Sequence, residues 1–213
     1  MGILQGLDAD VWVTGTPSIA LGAPESCTNV DGGTFLRYRA ATHFYWDKYA
    51  TLVVQCSPNG STGWATVTDY TFEYPGGYVQ FATARTAGVN NFVRINAGNY
   101  FTVAQLASCH SWELSMKANV IDTTIFQQNA WGSSQAALKK ASGKIESFLS
   151  DGTLDAQLAG LLVFVLYLQK TTNLRMEMYG WLTDVMPKSS MAGVVEKSIS
   201  FEADGTVYYR TTA

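Results

Sequence analysis

Charge is what this sequence most lacks: Asp, Glu, Lys and Arg make up 15% of its 213 residues, against roughly 25% in an average soluble chain. What charge there is nearly cancels, with 14 Lys and Arg against 17 Asp and Glu for a net −3. No Lys/Arg-rich stretch is present, so the chain lacks the electrostatic footprint of a protein that grips nucleic acid by neutralising phosphates. Three cysteines, Cys27, Cys56 and Cys109, are an odd number without C-x-x-C spacing. That argues against a disulfide framework and a zinc site, and for free thiols in a reducing cytosol. Only two histidines occur, His43 and His110. The longest apolar run, LAGLLVFVLYL at 158–168, falls short of the roughly 20 residues that a membrane span requires. The first basic residue is Arg37, so no charged segment precedes an apolar run as in a secretory signal, and export by that route is not expected.

Apolar residues, by contrast, are abundant at 47%, and 10 Phe, 6 Trp and 11 Tyr supply large side chains. Such a balance excludes disorder, and the length suffices to bury a core without disulfides or a metal. Alternation of period two dominates. Val11 and Val13 alternate with Trp12 and Thr14 near the start. The runs TLVVQCS, WATVTDYTFEY, YVQFATA, NFVRIN and YFTVAQL follow, separated by turn signals at Pro58-Asn59-Gly60, Pro75-Gly76-Gly77 and Ala97-Gly98-Asn99. Residues 18–34, rich in small and turn-forming types, read as an arm or long loop. In SWELSMKANVIDTTIF (111–126), Trp112, Leu114 and Met116 alternate with Glu113, Ser115 and Lys117, which predicts a long strand with one apolar face and one wet face.

Two short helices are also predicted: SSQAALKKAS at 133–142, capped by Ser133 or Ser134 and ended by Gly143, and a second behind Thr153 carrying Leu154, Leu158, Leu161 and Leu162. The second changes to strand near Val163. LVFVLYLQ and LRMEMYGWLTDVM read as strands, and VVEKSISFEA with TVYYRTT as a hairpin through Asp204-Gly205. The expectation is a mainly β chain divided into an amino-terminal strand and arm (1–34), a β-rich elaboration (35–107) and a core (108–213).

Catalytic signals are missing. No G-x-S-x-G elbow, phosphate-binding loop or G-x-G-x-x-G turn occurs. Cys109 and His110 are adjacent, and neighbours on a strand point to opposite faces. Carboxylates such as Asp69 and Glu73, or Glu196 and Glu202, alternate with apolar neighbours as the wet faces of strands do. Neither an enzyme nor a cofactor is expected. A soluble chain so poor in charge and so rich in aromatics has the composition of a subunit covered on several sides, because interface cores deplete charge and enrich Tyr, Trp and Phe.

The segments SWELSMKANVIDTTIF, NAWGSSQAALKKASGKIESFLSDGTL and VVEKSISFEADGTVYY, in this order, resemble the major tail tube proteins of long, non-contractile-tailed bacteriophages. The matching positions are Asp122, Thr124 and Phe126 in a D-x-T-x-F step, Trp131, Leu138 and Gly143 in the middle, and Phe201 and Gly205 in the closing F-x-x-x-G turn. The resemblance spans 111–209. It implies a β-sandwich or open barrel that contributes strands to a ring-shaped β-barrel shared by six copies, with rings stacked into a conduit for DNA. It further implies a place in the virion after assembly in the bacterial cytoplasm, and contacts with tape measure, terminator and distal tail proteins. DNA would pass without specific binding, no membrane would be involved, and 35–107 would be an elaboration on the tube exterior.

Alternation supplies candidates for the lumen wall. If Ile199 and Phe201 face the core, Ser198, Ser200 and Glu202 face the other way with Glu196 in phase, as do Glu113 and Ser115 in the long strand. Two other readings share the composition: a carbohydrate-binding or adhesion module stacking sugars on Trp46, Trp64, Tyr74 and Tyr78, and another tail component such as a terminator, hub or decoration protein.

Overall fold

The computed structural model describes residues 10–14, 17–106, 109–122, 134–148, 158, 160–189 and 195–211. Among them every regular element is a strand, as the period-two patterning predicts. In chain order these are β1 (Asp10–Thr14), β2 (Ile19–Ala20), β3 (Glu25–Asn29), β4 (Arg37–Ala40), β5 (Val53–Ser57), β6 (Ala65–Val67), β7 (Tyr70–Glu73), β8 (Tyr78–Phe81) and β9 (Phe92–Ala97). They continue as β10 (Asn99–Tyr100), β11 (Val103–Gln105), β12 (Cys109–Asp122), β13 (Ser134–Phe148), β14 (Leu161–Gln169), β15 (Leu174–Ser189), β16 (Val195–Ala203) and β17 (Tyr208–Arg210). No helix of the described residues is long and apolar enough to cross a membrane. Two compact units form, one from Thr14–Ala104 and the other from Met1–Val13 with Gln105–Ala213.

The second of these units is built on an eight-stranded sheet of order β11-β1-β14-β15-β16-β13-β12, with β17 added on β15. Its apolar face gathers Val11 and Val13 of β1, Phe164 and Leu166 of β14, Met178 and Leu182 of β15, Ile199 and Phe201 of β16, and Ile145 of β13. Phe201 and Phe164 stack with ring centroids 4.4 Å apart and planes 18° from parallel. Each ring lies over a glycine. A Cβ on Gly143 would meet the Phe201 ring and, at 2.5 Å, the Glu113 carbonyl, while one on Gly180 would meet the Glu202 carbonyl at 2.7 Å and Phe164 at 3.1 Å. Burying a phenylalanine this fully is worth about 1.5–3 kcal/mol. Neither ring could lie so close to the sheet over a larger residue.

Three sequence expectations are corrected here. The helix predicted at 133–142 is absent: 134–148 is a single strand, paired with β12 on one side and, over Ser142–Phe148, with β16 on the other. Ala, Leu and Lys favour helix only weakly, and the ladder to β12 along the segment, joined by β16 from Ser142 onward, together with the period-two burial of Ala141, Ile145 and Ser147, outweighs that preference. Of the second predicted helix, Leu161 and Leu162 belong to β14, and Thr153 and Leu154 lie outside the described residues. The closing hairpin is absent too. β16 pairs with β13 and β15, and β17 pairs not with β16 but further along β15, Tyr208 opposite Glu177 and Arg210 opposite Arg175. Asp204-Gly205 therefore interrupts a strand that keeps its direction. The Asp204 amide still donates to the Tyr179 carbonyl at 2.7 Å, and Gly205, at φ 100°, takes the left-handed excursion that lets the chain step out and return.

Thr14–Ala104 forms a seven-stranded antiparallel sheet of order β6-β5-β9-β3-β4-β8-β7, beside a two-stranded β2–β10 pair. The expected arm at 18–34 instead supplies β3, a central strand flanked by β9 and β4. Composition hid it because its anchors are polar. The carboxylate of Glu25, 7% exposed, accepts the amides of Thr42 and His43 at 2.6 and 2.7 Å and meets His43 Nδ1. Asp31 accepts the amides of Phe35, Leu36 and Arg37 at 3.1, 2.7 and 2.7 Å, folding the β3–β4 connection around one side chain. Desolvation pulls the Asp31 carboxyl pKa upward, but hydrogen bonds from Thr34, Asn29 and the Arg37 and Leu36 amides outweigh it and hold the group well below the usual carboxylate range.

Two outcomes follow. Gly143→Ala should destabilise the chain by about 1–3 kcal/mol or more, as overpacked cores do, read as a lowered midpoint in urea unfolding. Because the Asp31 pKa is depressed by folding, its contribution is complete above the unfolded pKa and is lost as pH falls through the folded one. Amide protection at Leu36 and Arg37, relative to the intrinsic exchange rate at each pH, should therefore be high at pH 7 and lost in strong acid, and lower at pH 7 in Asp31→Asn.

Candidate functional site

The face of the eight-stranded sheet opposite the phenylalanines is polar over β12, β13 and β16, and register fixes its rows. Glu113 lies opposite Lys144, Lys144 opposite Ser200 and Ser200 opposite Asp184. One row along, Ser115, Ser142, Glu202 and Trp181 follow each other across the same strands. Four of the six alternation candidates, Glu113, Ser115, Ser200 and Glu202, thus line one open hollow of about 560 Å³ together with Ser142, Lys144 and Thr183. Ser198 shares the face but is 3% exposed, its hydroxyl oxygen without a hydrogen-bond partner among the described residues. Glu196 is exposed at the far end, opposite Phe148 and Lys188.

β12 and β16 are not neighbours. β13 runs between them, and because its segment reads as helix former, its contribution to the face was missed. The missed residues are Lys140, Lys144 and Glu146. Lys144 Nζ donates to Glu146 Oε1 at 2.7 Å, and Glu146 Oε2 accepts from Ser111 Oγ at 3.2 Å. His110 stacks on Phe148 at 4.7 Å with its Nε2 3.9 Å from the same carboxylate. Lys140 Nζ lies 3.4 Å from Glu202 Oε1. The Glu146 hydrogen bond, and after it the charges of Glu146 and Glu113, raise the Lys144 pKa. The signal available in the sequence was the alternation in ASGKIESF, where Ser142, Lys144 and Glu146 are even and Ala141, Gly143 and Ile145 odd.

The family-pattern positions divide. Gly143 and Phe201 form the ring-on-glycine contact, and Gly205 the interruption before β17. Asp122 ends β12 opposite Ser134, and Leu138 belongs to β13. Thr124, Phe126 and Trp131 lie outside the described residues.

No group of His, Cys, Asp and Glu among the described residues has the arrangement to hold a metal ion. The thiols are poor nucleophiles: burial pushes Cys109 up to about 11 and Cys27 up to about 12. Trp46 is fully buried, its indole donating to the His43 carbonyl at 2.8 Å, so the four-ring sugar platform of Trp46, Trp64, Tyr74 and Tyr78 does not exist on the surface. What the polar face offers is an array of hydroxyls and carboxylates on which Lys140 and Lys144 each sit beside an acid. A polyanion moving over it meets no isolated cation at those two positions.

No family model matches the sequence, and no curated protein matches it. Among solved structures, the chain is similar to a chain in the virion of a native gene transfer agent particle, with 14% identity and a TM-score of 0.42, covering 51% of this chain and 88% of that one. It is also similar to a chain in the tail of an empty particle of that kind, refined with helical and C6 symmetry, with 11% identity and a TM-score of 0.40, covering 75% of this chain and 95% of that one. Likeness at this level carries neither fold nor function, and the chain's own residues must supply both.

Glu146→Gln replaces the charged acceptor that holds Lys144 with a neutral one. The Lys144 pKa should fall toward its ordinary value, followed by NMR titration of the side-chain methylene. Retention on a phosphate-bearing resin should rise and be lost again with added salt.

Proposed function

We propose that the chain is a structural subunit of a phage-type tail, assembling into six-membered rings that stack into a tube, with the polar face of the eight-stranded sheet lining the channel. One observation supports this above the others. The sheet ends on β12, a strand of 14 residues whose outer edge carries no further strand among the described residues. A long edge of this kind is a template for pairing with another chain, and proteins otherwise blunt or cover it. Closing the sheet around a ring of copies satisfies every edge at once. Beyond Ser142, moreover, β12 and β13 run on without β16 beside them, a two-stranded ribbon with Met116 62% exposed. Such ribbons are marginal alone and gain stability against another surface.

The wall chemistry suits passage and not capture. A lysine ring would bind phosphates and release counterions, making each ring a sticking point, whereas here Lys140 and Lys144 are matched by Glu202 and Glu146. In this reading the chain is not an enzyme and needs no cofactor. Thr14–Ala104 stands on the tube exterior, and tape measure, terminator and distal tail proteins contact the tube along its length and at its ends. The subunit is made in the bacterial cytoplasm and ends in the virion.

Electron microscopy of the purified full chain tests the reading: tubes of uniform width with six-fold rings are expected, and a protein that stays monomeric at high concentration overturns it. Within assembled tails, Glu202→Lys adds a cation beside Lys140, which already has Lys117 opposite it on β12. Tails should still form, and DNA ejection should slow at low salt and recover at high salt. Ejection as fast as wild type at low salt removes Glu202 from the channel wall.

A further inference from the structure

We propose that the outward face of the seven-stranded sheet binds an acidic, uronate-bearing polysaccharide, with Arg39 and Arg94 as the carboxylate contacts. The site lies in Thr14–Ala104 and does not depend on the tube reading. Register places on this one face Gln55 of β5, Arg94 of β9, Ser26 and Thr28 of β3, Arg37 and Arg39 of β4, and Tyr78 and Gln80 of β8. Four of the chain's six arginines fall in this unit, and three of them share the face.

Each of the three is held flat on an aromatic ring. Arg37 and Arg39 lie on either strand partner side of Tyr78, with Cζ 4.1 and 5.2 Å from its centroid, and Arg39 also lies 4.2 Å from that of Phe44. Arg94 lies 4.1 Å from the centroid of Trp64. Arg37 is already matched, donating to both oxygens of Glu73 at 3.0 Å. The other two are not. Arg39 donates through Nε to the Gly76 carbonyl at 3.2 Å, and Arg94 donates to Gln55 Oε1 through Nε at 3.0 Å and Nη2 at 2.7 Å. Among the described residues no carboxylate pairs with either. Stacking and neutral hydrogen bonds fix both guanidinium groups, so little rotamer entropy remains to be lost when an anion arrives.

Arg39 and Arg94 are two strands and two residues apart, roughly 12 Å between Cα atoms at ordinary strand spacings, with the exposed hydroxyls of Ser26 and Thr28 between them. Pairing of β3 with β9 stops at Cys27 and Val93, and where the strands part a hollow of about 260 Å³ opens, walled by Trp64 and Phe92 with Ser26, Asn29 and Asn91 at its polar margin. An aromatic-walled hollow with amides and hydroxyls at its rim fits a sugar ring, and two fixed cations fit carboxylates on the same chain. A nucleic acid fits less well. Two cationic contacts release few counterions, too few for the electrostatic affinity of a nucleic-acid site.

Affinity electrophoresis of the full chain through gels containing polygalacturonate, neutral dextran or oligothymidylate tests this. Retardation by polygalacturonate alone is expected, weakened at least tenfold in the Arg39→Gln, Arg94→Gln double variant. Thr28→Glu, an exposed position that places a carboxylate between the two arginines, should abolish retardation while leaving the melting temperature unchanged, which covers the case of a double variant that fails to fold. Absence of retardation, undiminished retardation of the Thr28→Glu protein, or tighter binding of oligothymidylate than of polygalacturonate each overturns the proposal.

Discussion

The contact between two phenylalanine rings and two glycines governs the eight-stranded sheet. Phe201 lies on Gly143 of the next strand, Phe164 packs against Gly180 of its own neighbour, and the rings stack on each other. Side chains alternate with a period of two, so a slip of one residue anywhere in β13, β15 or β16 would turn an apolar row into water and a polar row into the core. The glycines make this register selective, since a ring of that size fits flat against the sheet only where the opposite strand lacks a Cβ.

Once that register holds, the composition of the other face is decided without further freedom. Glu113, Lys144 and Ser200 come into one row and Ser115, Ser142 and Glu202 into the next. Lys144 meets Glu146 on its own strand and Lys140 meets Glu202 across the sheet. These exposed pairs add little to stability. Their effect is on the field above the sheet at Lys140 and Lys144, where an acid within a few ångströms offsets each of these two cations.

The two units use their charges in opposite ways. On the eight-stranded sheet Lys140 and Lys144 are neutralised by neighbouring acids, while on the seven-stranded sheet arginines are fixed by aromatic stacking and two of them are left without acids. The cation type does not decide this by itself, since Arg175 and Arg210 of the other unit lie over Tyr167 and Tyr208 and also pair with Glu177.

Much of this was legible from residues alone. Alternation set Ile199 and Phe201 on one face, marked β12 as a two-faced strand, and grouped Glu113 and Ser115 in one strand and Glu196, Ser198, Ser200 and Glu202 in another on a common phase, because which face a side chain takes is a local property of an extended backbone. Partner choice is not local. Nothing along 133–142 reveals that β12 hydrogen-bonds it and that β16 takes the other edge from Ser142 onward, so its helix formers misled. Asp204-Gly205 looks like a hairpin turn until β15 is seen to extend past it and to offer β17 a longer edge than β16 does. Burial likewise depends on what packs above a residue. That is why Trp46, readable as a surface ring, lies in a core, and why a polar strand at 25–29 holds the centre of a sheet through the carboxylate of Glu25. The sequence by itself determined the β class and the two faces of each strand; only the tertiary structure decided which strands meet, since hydrogen bonds between distant segments leave no periodicity in either one.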